Sequence, residues 1–280
     1  MSTLVIHSGG IGDFILTTPA LAAFGQKEVI AVMGRLSRVS LATAMGVAEA
    51  VYDMDAAGFH TLLGTPSPHL MQCCAPHDRA LVWMRDDDGR IAKGLRACGI
   101  KNVLCLPGLP PADWQQHASE YYCHCLGVPC GDVPRIAVPA APGPDIVIHP
   151  GSGGARKNWP VEDFAAAARM LRKPGRRIGW CVGPAEEDIA LPPGTHTIYR
   201  SSLLELAGVL ASARLYIGND SGITHLAAAA GCPTVAVFGP TEPAVWAPRG
   251  AHVRVVRADP WPVPEAVVDA ARELLGARSA

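Results

Sequence analysis

The sequence is short of charge. Only 18% of its 280 residues are Asp, Glu, Lys or Arg, and the signs nearly cancel, 24 basic against 25 acidic. That balance excludes the basic excess of a nucleic-acid binder and the acidic tail that would draw a basic partner. Long hydrophobic runs are missing too. The longest near-apolar stretch, 226–239, is too short for a bilayer and is broken by Gly231 and Pro233, so membrane contact is expected to be peripheral at most. No secretory leader is expected before Leu4, because the first apolar stretch is short and lacks a basic flank. There is no G-x4-G-K-[ST] phosphate loop.

Apolar residues, by contrast, make up 49% of the chain, which suits a globular protein of one large or two ordinary domains. The nine cysteines are odd in number and several lie in apolar runs. Reduced thiols in a cytoplasm fit that pattern best. CHCLGVPC (123–130) lacks the spacing of a structural zinc site and reads as a helix with small apolar thiols. DDDG (86–89) sits between a strand and a helix, where acidic charge at a helix start explains it without a divalent metal. No metal and no other cofactor is expected.

Short apolar runs alternate with helical periodicity. Strands are expected at 4–10, 29–33, 50–55, 80–85 and 102–106, and helices at 13–25, 37–45, 90–98 and 117–127. GDVPRIAVPAAPGPD (131–145) reads as a linker. The pattern then restarts: strand DIVIH, helix 160–175, strand 177–183, helix 202–213 with a Ser202–Glu205 capping box, strand LYIGN, helix GITHLAAAA, strand 234–239 and a last helix. Pro160, Glu162, Asp163, Arg172, Lys173 and Pro174-Gly175 punctuate the second of these helices as its dipole prefers. The expected class is α/β, with one Rossmann-like domain over 1–138 and a second over 139–280. Parallel sheets bind ligands at their strand carboxyl ends, so the two are expected to face a central cleft.

Polar residues concentrate in the loops at those ends. SGGIGD (8–13) supplies Gly10 and Gly12 for a tight turn, and Asp13 as either a helix cap or a carboxylate able to take a proton. HPGSGGARKNWP (149–160) combines Gly151, Gly153, Gly154, Ser152, Arg156 and Lys157 ahead of a helix, an anion-binding loop that Trp159 would pack down. GNDSGITH (218–225) gathers Asp220, Ser221 and His225 at a helix start. Helix amides there favour a phosphate, while Asp220 would repel it and suits sugar hydroxyls. VGPAEED (182–188) offers Glu186 or Glu187 to ribose hydroxyls.

SGGIGDFILTTPAL, HPGSGGARKNWPVEDFAAAA, VGPAEE and the long stretch from SLLELAG through GNDSGITHLAAAAG to FGPTEP together resemble glycosyltransferase family 9, the ADP-heptose:lipopolysaccharide heptosyltransferases. The resemblance implies a GT-B architecture, with the acceptor on the amino-terminal half and a nucleotide-sugar donor on the carboxyl-terminal half. It implies that Asp13 is the general base and Lys157 the phosphate-contacting lysine. Gly151, Ser152, Glu186 (with Glu187 as its neighbouring alternative), Ser201, Asp220, Ser221, Gly222 and His225 would bind the donor, while Gly10 and Gly12 form the acceptor-side loop. The activity implied is an inverting, metal-independent transfer of heptose from ADP-heptose to a sugar or glycolipid acceptor, in the cytoplasm or at the inner face of its membrane. Two other readings stand beside it. Arg35 after the second strand could meet a 2′-phosphate in an NADP-dependent oxidoreductase, although Ile15 occupies the place of the third fingerprint glycine. The chain could also bind a sugar nucleotide without catalysis, with Asp13 acting only as a cap.

Overall fold

Strands covered on both faces carry continuous apolar runs, and that is how this chain builds its sheets. A computed structural model of the chain describes residues 2–183 and 186–277. It divides into two units, one running to Pro134 and the other from Arg135.

In the first unit the order is β1 (Ser2–His7), α1 (Ile11–Phe24), β2 (Val29–Gly34), α2 (Leu36–Val39), α3 (Leu41–Ala44) and β3 (Ala50–Asp53). Next come α4 (Pro68–Cys74), β4 (Arg79–Trp83), α5 (Arg90–Ala97), β5 (Asn102–Leu106) and α6 (Ala118–Leu126). All five strands are parallel, in the order β3-β2-β1-β4-β5. The winding therefore reverses between β1 and β4. Leu4, Ile6, Ala31, Met33, Ala80 and Val82 form the centre of one core cluster.

The second unit repeats the plan. It runs β6 (Ile146–His149), α7 (Val161–Leu171), β7 (Ile178–Cys181), β8 (Thr197–Ile198), α8 (Leu203–Ser212) and β9 (Leu215–Asn219). It closes with α9 (Gly222–Ala229), β10 (Thr234–Phe238), α10 (Pro243–Trp246), β11 (Val253–Arg257) and α11 (Pro264–Ala277). The parallel order is β11-β10-β9-β6-β7-β8, with the reversal between β6 and β9. Strands β6, β9 and β10 are buried along their whole length. Short side chains on α9, Ala227 to Ala229, are buried with it.

The α/β expectation of two parallel sheets holds. Residues 37–45, expected as one helix, instead form α2 and α3, which meet at Ser40. The break leaves Arg38 reaching the Gly9 carbonyl at 2.6 Å while Leu41 and Ala42 enter the core. The cysteine-bearing stretch is helix α6, closed by Gly127 in the left-handed conformation (φ 62°), where glycine meets no Cβ penalty. Asp86 of DDDG accepts the amides of Ile91 and Ala92, each at 2.9 Å, at the start of α5. Among the described residues, no helix is long and apolar enough to cross a membrane.

Candidate functional site

The winding reverses between β6 and β9, and it is outside the carboxyl ends of strands at such a reversal that open α/β sheets take their ligands. The loop after β6 carries HPGSGGARKNW and the loop after β9 carries NDSG. Asn219, fully buried, ties the two together: its Oδ1 accepts the Trp159 amide at 2.9 Å, and its Nδ2 donates to the Pro150 carbonyl at 2.7 Å. Trp159 is itself completely buried. It packs edge-on to Phe164 at 4.7 Å and donates its indole N–H to the Pro262 carbonyl. So the loop is anchored at both ends, as its tryptophan predicts.

On that anchored loop Lys157 faces the β9 loop. Its Nζ lies 2.8 Å from Asp220 Oδ2, with the lysine a third exposed and the aspartate nearly buried. The sequence places Asp220 toward sugar hydroxyls; here its first partner is the lysine. Ser221 is the N-cap of α9, its Oγ accepting the Thr224 amide. Gly222 and Ile223 occupy the first two helical positions, whose amides have no acceptor within the helix. His225 is buried in the first turn and bonds by its own amide to the Ser221 carbonyl. Ser152 is held within its loop, bonding to Asn158 Oδ1 at 2.6 Å and to the Gly154 carbonyl at 2.8 Å.

Beside these groups lies a carboxylate–imidazole pair that the sequence does not announce. Glu186 is 7% exposed. Its Oε1 sits 3.3 Å from His149 Nε2, and its Oε2 accepts the Gly183 amide at 2.7 Å. The Nδ1 of His149 lies 3.4 Å from Ser221 Oγ. Gly151 makes room for this arrangement, since a Cβ there would stand 2.0 Å from Glu186 Oε1. Glu187 is exposed. Pro184 and Ala185 of the VGPAEED stretch lie outside the described residues. Burial, with the Glu186 charge adding to it, pushes the Cys181 thiol up to about 12. Ser201 is exposed, donating to Glu205 Oε2 at 2.8 Å beside the N-cap Ser202, whose hydroxyl accepts the Glu205 amide. Lys157, Asp220, Ser221, Gly222, His225, Gly151 and Glu186 therefore stand on the loops at the β6, β7 and β9 ends. Ser201 stands at the start of α8.

The first unit has its own constellation at the end of β1. Asp13, third residue of α1, accepts the Gly10 amide at 2.8 Å. Half of a capping box is thus present, the other half being impossible because Gly10 has no side chain. Gly12 lies in the same first turn. His7 closes β1 and is 2% exposed, with neither ring nitrogen hydrogen-bonded. Burial, reinforced by Arg38, holds its imidazole down at about 4. His7 and Asp13 flank Gly9: a Cβ there would lie 2.8 Å from His7 Cε1 and 3.3 Å from Asp13 Oδ2. Burial and then the charge of Asp13 push the Tyr122 phenol well up, and its hydroxyl donates to the Gly108 carbonyl at 3.0 Å. Sequence reading points to Asp13, and to Asn219 as part of the polar cluster before α9, but not to His7, Arg38, Tyr122 or His149. The shared signal for the two histidines is a strand ending in His before a glycine loop, once in each half.

The profile of glycosyltransferase family 9 (heptosyltransferase) matches residues 116–274. Among curated relatives, lipopolysaccharide heptosyltransferase 1 of Escherichia coli K12 is 35% identical over 108 residues, 36% of this chain and 34% of that protein. The matched part spans about a third of the length of such relatives. The structure of E. coli ADP-heptose lps heptosyltransferase II superposes with a TM-score of 0.81 over 100% of both chains at 20% identity. E. coli heptosyltransferase WaaC, solved with ADP, superposes with a TM-score of 0.70 over 98% of this chain and all of that one at 18% identity. At these identities the two structures speak for the fold.

Proposed function

The chain belongs to glycosyltransferase family 9 and has its GT-B fold, and from that premise we propose that it moves a sugar from a nucleoside-diphosphate sugar to an acceptor hydroxyl. The names of its relatives suggest heptose as the sugar, ADP as the nucleotide and lipopolysaccharide core as the destination. The observation that carries this reading is the convergence at the β6/β9 reversal of one lysine, one helix amino terminus and two buried carboxylates, Asp220 and Glu186.

The second unit is the donor site in this account. The diphosphate lies against Lys157 and the first amides of α9, with Ser221, Gly222, His225 and the Gly151–Ser152 turn around it. Glu186 accepts from ribose hydroxyls, and the backbone at Ser201 borders the base. Asp220 holds Lys157 until the donor arrives and then turns to the sugar. On the first unit the Gly10–Gly12 turn receives the acceptor, and Asp13 takes the proton from its attacking hydroxyl.

That oxygen bonds to the anomeric carbon as the bond from that carbon to the diphosphate breaks, so configuration inverts. The electron pair leaves with the nucleoside diphosphate, whose growing charge Lys157 and the α9 amides stabilise. In this scheme those groups carry the charge and no metal is assigned to the step. The protein works in the cytoplasm or against the inner face of its membrane, a compartment that keeps its nine cysteines reduced.

The test is to incubate the protein with ADP-heptose and heptose-deficient lipopolysaccharide core, with and without EDTA. NMR of the product should show the anomeric configuration opposite to that of the donor, at a rate EDTA leaves unchanged. Oxidation of NADPH or reduction of NADP+ in place of transfer would favour the oxidoreductase reading. Saturable donor binding without turnover would favour the binder.

A further inference from the structure

We infer that His149 is a positioning residue that holds Glu186 for the ribose and links that end of the donor site to its phosphate end. The inference rests on the proposed donor reading and goes beyond it by assigning a selectivity role to a buried residue behind the carboxylate.

His149 ends β6 and is 3% exposed. Its ring bridges two groups far apart in sequence: Nε2 stands 3.3 Å from Glu186 Oε1, and Nδ1 stands 3.4 Å from Ser221 Oγ. A carboxylate only accepts, so a ring with its proton on Nε2 presents a donor to it. Nδ1 then either accepts a hydrogen bond from the Ser221 hydroxyl or donates one to that oxygen. In both cases the ring stands against Glu186 Oε1 and the Gly183 amide donates to Oε2, so the carboxylate is held from both sides.

The Ser221 end is equally fixed, because its Oγ accepts the Thr224 amide and lies 3.0 Å from Thr224 Oγ1. Gly151 removes the one Cβ that would evict the carboxylate. Without the imidazole, Glu186 would lose half of its support. It could then turn into the space beside Gly151 or toward solvent, and hydroxyl recognition would weaken. Groups oriented by a second layer of hydrogen bonds behave this way.

The experiment is calorimetric titration of the whole protein with ADP and with 2′-deoxy-ADP, for wild type, E186A, H149L and H149Q, each checked by its melting curve. Wild type should prefer ADP by on the order of tenfold, the worth of a hydrogen bond to a charged group. E186A should abolish that preference, and H149L should shrink it to nearly the same level while 2′-deoxy-ADP still binds. H149Q should restore much of it, because its amide can donate where Nε2 does. An H149L protein that keeps the full preference, with E186A having lost it, overturns the role of His149 alone. An E186A protein that keeps the preference overturns the ribose assignment and the inference with it. If H149L does not fold, H149A takes its place: a folded H149A that keeps the full preference overturns the inference.

Discussion

Lys157 Nζ and Asp220 Oδ2 are 2.8 Å apart, so the one lysine on the β6 loop is neutralised by the residue just before the α9 cap. A diphosphate that uses Lys157 must displace Asp220, whose charge opposes its approach. Asp220→Asn removes both obstacles. ADP is expected to bind the D220N protein several-fold more tightly by titration calorimetry, while transfer falls because the sugar loses a carboxylate. Folding stability should drop by no more than about 1 kcal/mol, since the lysine can solvate. Weaker ADP binding in D220N would assign Asp220 to the phosphate side and contradict this division of labour.

Asp13 does two jobs in this account, and two substitutions separate them. Its carboxylate accepts the Gly10 amide, which Asn can also do and Ala cannot. Asp13→Ala should cost about 1 kcal/mol in a denaturant titration, and Asp13→Asn only a fraction of that. Both should lower the rate of transfer by roughly 10²–10⁴-fold, the usual loss for a general base, with ADP affinity unchanged. Wild-type turnover by D13N would reduce Asp13 to a cap.

His7 makes stability depend on acid. Its folded value of about 4 lies below its ordinary 6.5, so between those two values the unfolded chain holds more of the proton. Stability is then full above about pH 6.5, falls as pH drops toward 4 and levels off below. The loss attributable to this one group is roughly 3 kcal/mol. Urea titrations from pH 7 to pH 4 should show that slope in wild type and a flatter one in His7→Leu. Parallel profiles for the two proteins would mean that His7 is not held neutral in the fold.

Much of the fold is legible because buried parallel strands are apolar runs between turn residues. LVIH, VIAVM, IVIH, LYIGN and TVAVF stand out for that reason. Strand β11 does not: it carries Arg254 and Arg257 and is exposed over much of its length, as an edge strand can be. β8 is two residues long and α10 four, too short for any period to register. In the site, Asp13, Lys157, Asp220 and Ser221 announce themselves by polarity beside glycine. His149 does not, since it ends an apolar strand and reads as its last member, and Asn219 shows its polarity there but not the partners it ties together. Their partners lie up to 72 positions away, and only the β6/β9 adjacency brings them together. Gly151 is legible as a glycine in an anion loop, yet the room it makes for Glu186 is a matter of packing that no local pattern records.

The central claim is that the loops after β6 and β9 grip the donor's diphosphate through Lys157. Titration calorimetry of ADP into wild type and Lys157→Met measures it directly. The account predicts saturable binding by wild type, weakened at least tenfold in a K157M protein that melts within a few degrees of wild type, as loss of one cation from a phosphate site requires. Equal affinity in the two proteins, or no saturable binding of ADP by wild type, would contradict it.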